Sequence, residues 1–83
     1  MPVDDADVIG RIDELVAEEH RLESHVKEGT GLSDEQKKRL REIEVGLDQC
    51  WDLLRQRRAR RAIGEDPDEA EVRPAGEVEG YLQ

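Results

Sequence analysis

Gly29-Thr30-Gly31-Leu32-Ser33-Asp34-Glu35-Gln36 divides the chain into two periodic halves and so determines its architecture. Glycine reaches the left-handed conformation that commonly ends a helix. Ser33, with Gln36 three residues on, has the form of a capping box. The serine oxygen accepts from the Gln36 backbone N–H, and the glutamine side chain reaches back to the Ser33 N–H. One helix therefore stops and another starts within a few residues. A connection this short between two amphipathic helices gives an antiparallel pair.

Upstream of the turn, Val8, Ile12, Leu15, Leu22 and Val26 follow a heptad stripe with one gap, occupied by Glu19. Ile9 and Val16 widen that stripe to a face. Asp4, Asp5 and Asp7 sit where negative charge suits the start of a helix. This half predicts a helix over about 4–28, with a turn over 29–32. Downstream, Leu40, Ile43, Leu47, Cys50 and Leu54 recur at spacings of three and four, and Trp51 and Leu53 flank them. The pattern ends at Ile63-Gly64, and Pro67 bars its continuation. The second helix is expected over about 34–63. Gly46 lies inside it at a cost of roughly 1 kcal/mol against Ala, either tolerated there or permitting close helix approach.

Charge agrees with an antiparallel pair. Residues 1–28 carry nine acids and three bases, and residues 33–64 carry six acids and nine bases. Opposed helices of opposite sign set orientation, although each exposed pair contributes only about 0–1 kcal/mol.

With 83 residues, 35% hydrophobic and 42% charged, and with no Phe, the chain holds one domain and a thin core. Chains of this size need a disulfide, a metal or a partner to supplement the core. Cys50 is the only cysteine, so no intramolecular disulfide forms. It reads as a small apolar seam residue in a reducing compartment. No apolar run approaches a membrane span, and the acidic start is not a signal peptide. The expectation is an all-α, coiled-coil-like antiparallel two-helix hairpin over 1–64, cytoplasmic, self-associating into a helical bundle. An irregular, acidic, flexible tail follows over 65–83.

The strongest local feature is Arg55-Gln56-Arg57-Arg58-Ala59-Arg60-Arg61. Arginine forks bind phosphate or carboxylate through two parallel hydrogen bonds, and arginines near a helix C-terminus also suit its dipole. The acidic run Glu65 to Glu71 follows within a helix turn, close enough to fold back and neutralise them. The tail ends on apolar Tyr81 and Leu82, which an otherwise polar arm could use as an anchor.

Catalytic patterns are missing. His20 and His25 are five residues apart, about 140° around a helix, so one ion does not easily reach both. Gly29-Thr30-Gly31 is too short to cradle phosphate and lacks the following lysine of a P-loop. No nucleophile, base and orienting group can be assembled, and a two-helix hairpin offers no deep pocket. Neither an enzyme nor a cofactor, metal or small-molecule substrate is expected, and no membrane association.

The second helix and arginine run, Leu47-Asp48-Gln49-Cys50-Trp51-Asp52-Leu53-Leu54-Arg55-Gln56-Arg57-Arg58-Ala59, with the ending Val78-Glu79-Gly80-Tyr81-Leu82-Gln83, resemble a family of short actinobacterial proteins known only as a domain of unknown function. That resemblance implies a small helical protein of a high-GC bacterium and adds no activity.

The functional expectation is a non-catalytic protein-interaction module, regulatory or accessory, partnering itself or another protein. Its partner-binding residues are expected to be Trp51, Leu53, Arg55, Arg57, Arg58, Arg60, Arg61, Tyr81 and Leu82. Ser33 and Gln36 serve as a structural cap. The alternative is a nucleic-acid- or ribosome-associated protein that binds through the arginine-rich end of the second helix. The net charge of −9 argues against general attraction to polyanions.

Overall fold

The computed structural model describes residues 4–29 and 31–76. Helix α1 spans Asp5–Lys27 and helix α2 spans Asp34–Ala62. A single 3₁₀ turn, Pro67–Glu69, follows. The two helices pack against each other as a hairpin, and the 3₁₀ turn packs on α2.

Both helices begin with a complete capping box. At α2, the Gln36 N–H donates to Ser33 Oγ at 3.1 Å, and the Ser33 N–H donates to Gln36 Oε1 at 2.8 Å. At α1, Asp4 and Asp7 make the same reciprocal pair, at 2.8 and 3.3 Å. Each helix ends on a glycine at positive φ, Gly29 at 81° and Gly64 at 79°. Beyond α2 the Gly64 N–H donates to the Arg61 carbonyl and the Glu65 N–H to the Arg60 carbonyl, the two bonds of a Schellman ending. That ending reverses the chain and aims residues 65–76 back along α2. Ser33→Ala is expected to lower unfolding stability by about 0.5–2 kcal/mol, because it orphans the Gln36 N–H. Urea unfolding followed by circular dichroism reads this, and an unchanged midpoint would mean the cap contributes nothing.

The core is one seam in two stretches. Val8 and Ile12 meet Leu53 and Leu54 near the open end of the hairpin, and Leu15 and Leu22 meet Ile43 nearer the turn. Leu47 and Cys50 touch both stretches. Ile43 is fully buried. A Cβ on Gly46 would stand 3.2 Å from Leu15 Cδ1, so this glycine sits where the helices approach closely.

Two features of the core differ from the reading of the sequence. Leu53, expected on an exposed partner-binding flank, belongs to the core. It clusters with Val8 and Ile12 of α1 and with Leu54, and Ala70 from the returning chain packs on the same cluster, so Leu53 is buried and not a surface contact. Val26, expected in the seam, is 55% exposed. Leu32, in the turn, packs on the Leu15–Leu22–Ile43 stretch instead. Among the described residues, no helix is long and apolar enough to cross a membrane.

Candidate interaction surface

The arginine run is drawn largely into the hairpin's own structure. Arg57 is buried although it is charged. Its Nε donates to Asp5 Oδ1 at 2.6 Å, and its Nη1 donates to Asp68 Oδ1 at 2.9 Å and to the Pro67 carbonyl at 3.2 Å. Arg61 Nη2 donates to Asp5 Oδ2 at 2.6 Å. Arg60 reaches Glu65 at 3.1 Å and Glu69 at 3.5 Å. Hydrogen bonds from Arg61 and Arg57 lower the Asp5 pKa to about 2. The same carboxylates hold the Arg57 guanidinium above its ordinary value.

Arg57 was expected on a partner-binding surface, and that expectation is corrected. The residue lies 20° from Cys50 around α2, counting 100° per residue, so it faces α1 and joins the start of α1 to the returning chain. Arg55, Arg58 and Arg61 are exposed, and Arg60 is half-buried. Tyr81 and Leu82 lie outside the described residues.

A second cross-hairpin clamp lies nearer the turn. Arg39 Nε and Nη2 donate to the two oxygens of Glu18, at 2.5 and 2.8 Å. This bond, above all, lowers the Glu18 pKa and raises that of Arg39. The contrast in charge between the two halves thus resolves into two specific clamps, Glu18 with Arg39 and Asp5 with Arg57 and Arg61.

The returning chain is held by a polar strip on α2, Gln49, Asp52 and Gln56, at helical spacings of three and four. Residues 65–76, expected as a flexible arm, lie along this strip. Asp52 is fully buried. Arg73 grips it with both Nε and Nη2, the Nε contact at 2.9 Å. Gln56 Nε2 donates to Asp52 Oδ2 at 2.8 Å and to the Glu71 carbonyl at 2.7 Å. Gln49 Nε2 donates to the Arg73 carbonyl at 3.2 Å. The Arg73 hydrogen bond is the main reason the Asp52 pKa falls despite burial. No buried side-chain N or O among the described residues lacks a partner.

The opposite flank is open and carries a group of apolar residues. Counting 100° per residue from the seam residues Ile12 and Cys50, Ile9 and Val16 of α1 and Leu47 and Trp51 of α2 fall on the side away from the strip. Trp51 is 50% exposed and Ile9 49%, while Val16 and Leu47 are partly buried against the core. Burial raises the pKa of the half-buried Cys50 thiol. His20 and His25 are exposed, and among the described residues no three His, Cys, Asp or Glu side chains gather as metal ligands would.

A protein-family model described as "Protein of unknown function (DUF2630)" matches residues 4–83. The chain belongs to the DUF2630 family. This DUF2630 chain is 53% identical over 77 residues to uncharacterized proteins of Mycobacterium tuberculosis (Rv0898c) and Mycobacterium bovis (Mb0922c), covering 93% of its own length and 88% of theirs. Its relatives are therefore actinobacterial proteins of nearly the same size. No solved structure matches it. The DUF2630 match includes the returning segment as well as both helices.

Reading the sequence missed the strip. A carboxylate between Trp51 and Leu53 was a signal, since it stands three and four residues from two glutamines that could share its face. Finding its partner required knowing that Arg73 returns to α2.

Proposed function

We propose that this protein is a non-catalytic interaction module of the cytoplasm, regulatory or accessory, that pairs with a second copy through the flank bearing Ile9, Val16, Leu47 and Trp51. The half-exposed Trp51 carries this reading. A large aromatic ring left in water forgoes much of the burial energy that such rings supply at interfaces. It shares a flank with half-exposed Ile9 and with Val16 and Leu47, on a chain too short to build a thick core. The molecule measures 51 × 25 × 20 Å, little more than two helices wide, and leaves no room for an enclosed substrate site. The internal pairing of Arg57, Arg60 and Arg61 lends nucleic-acid binding less support than the bare run of arginines does.

The test is sedimentation equilibrium across protein concentration, with Trp51 fluorescence recorded alongside. The wild-type chain is expected to shift from monomer to dimer, with Trp51 emission moving to shorter wavelength as it does so. Trp51→Ala should dimerise only at higher concentration than wild type, so that it loses helicity at low concentrations where wild type is still dimeric, by mass action. A fully helical wild-type monomer at all concentrations would overturn self-association and leave the flank to a different protein.

A further inference from the structure

The strip on α2 has the form of a peptide-reading site occupied by the protein's own chain. Two glutamine amides donate to the carbonyls of Glu71 and Arg73, two residues apart along the backbone. Between them Asp52 takes the Arg73 guanidinium through both of its oxygens. Main-chain carbonyls carry no sequence information, whereas the buried carboxylate requires a planar forked cation. The strip therefore reads an extended segment with arginine at one position.

The residue before the arginine meets a groove. Val72 lines an open space of about 310 Å³ between the helices, together with apolar Val8, Leu15, Cys50 and Leu53 and the charged Asp7 and Arg11. It fills that space poorly, since Val72 itself is 60% exposed. The hold on this part of the chain is polar, with Ala70 its one side chain packed on the core cluster. Segments with few buried apolar contacts open at low free energy.

The geometry points to Gln49, Asp52, Gln56 and the adjoining groove as a binding site for an extended partner peptide carrying a large apolar residue followed by arginine. Residues 71–73 occupy the site in cis as a weak stand-in. A tethered segment competes at an effective concentration in the millimolar range. An incoming peptide displaces it only by filling the groove better than Val72 does. The site thus discriminates by the size of the apolar side chain and by the arginine fork together. It faces away from Trp51 and is independent of self-association.

The test uses the full-length protein and fluorescein-labelled synthetic peptides of residues 66–76, read by fluorescence anisotropy. Replacing Val72 by Leu in the peptide is expected to tighten binding about fourfold, the effect of one further buried methylene, and Val72→Phe to tighten it further. The peptide with Arg73→Ala or Arg73→Lys should lose binding at least tenfold. Full-length protein carrying Arg73→Ala, its own segment loosened, should bind the native peptide at least tenfold more tightly than wild type. In the reverse direction, full-length Val72→Leu should hold its own segment better and bind every peptide more weakly. Asp52→Asn in the protein should remove the preference for arginine. If circular dichroism shows that variant misfolded, Gln49→Ala and the peptide variants decide the matter. The site does not exist as proposed if the Leu and Phe peptides show no saturable binding, or if binding ignores either the arginine or the size of the residue before it.

Discussion

Ile43→Ala is expected to lower stability by about 2–5 kcal/mol, the usual range for truncating a buried aliphatic side chain. Ile43 is fully buried, and around it lie Leu15 and Leu22 with half-buried Leu32, Leu40 and Leu47. In a seam one side chain deep, no second layer can collapse into the space left behind. A chain of 83 residues has a total stability of only about 4–12 kcal/mol at typical values per residue, so this truncation removes a large share of it. Urea unfolding at fixed protein concentration measures the change, with Val26→Ala as the comparison. Val26 is 55% exposed and should change stability by no more than about 0.5 kcal/mol. Equal losses from the two variants would mean that the seam is not where the hairpin's stability resides.

That contrast marks how far the sequence could be read. Helix positions, the turn and the Ser33 cap were legible because each depends on neighbours within four residues. Val26 and Leu53 were not, because Val26 continues its stripe into the last turn of α1, beyond the packed seam, and Leu53 lies at the edge of its own stripe. What covers a stripe's edge is decided by the third element of the fold. Leu53 is buried in a cluster with α1 on which Ala70 of the returning chain also packs, and Val26 is covered by nothing described. Gln49, Asp52 and Gln56 read as an ordinary solvated face for the same reason, since their partners come from residues 71–73. The charge contrast between the halves was visible in the sequence. Which pairs it produced depended on register, which places Glu18 opposite Arg39 and Asp5 opposite Arg57.

Arg57→Ala is expected to cost about 1–3 kcal/mol and to loosen two parts of the fold at once. Its guanidinium joins Asp5 at the start of α1 to Asp68 and the Pro67 carbonyl of the returning chain. Hydrogen bonds to charged groups contribute about 1.5–3 kcal/mol, and the partial exposure of both aspartates reduces that. The buried aliphatic stem adds packing that alanine lacks. Arg57→Lys keeps the charge without the fork, so its loss should be intermediate. The pH dependence separates this electrostatic role from simple packing. A carboxylate whose folded pKa is lowered stabilises the fold fully above its unfolded pKa, and loses that contribution as pH falls through the folded value. For Asp5 the window runs from its ordinary 3.8 down to about 2. Wild-type stability should therefore decline across that interval. Because Arg61 contributes most to the Asp5 shift and Arg57 next, Arg57→Ala should flatten the decline in part. The double variant Arg57→Ala/Arg61→Ala should flatten it more. Hydrogen exchange should show the amides of residues 65–76 less protected in Arg57→Ala at neutral pH. A stability loss with an unchanged acid decline and unchanged exchange would assign Arg57 to packing alone and remove it as the tie between α1 and the returning chain.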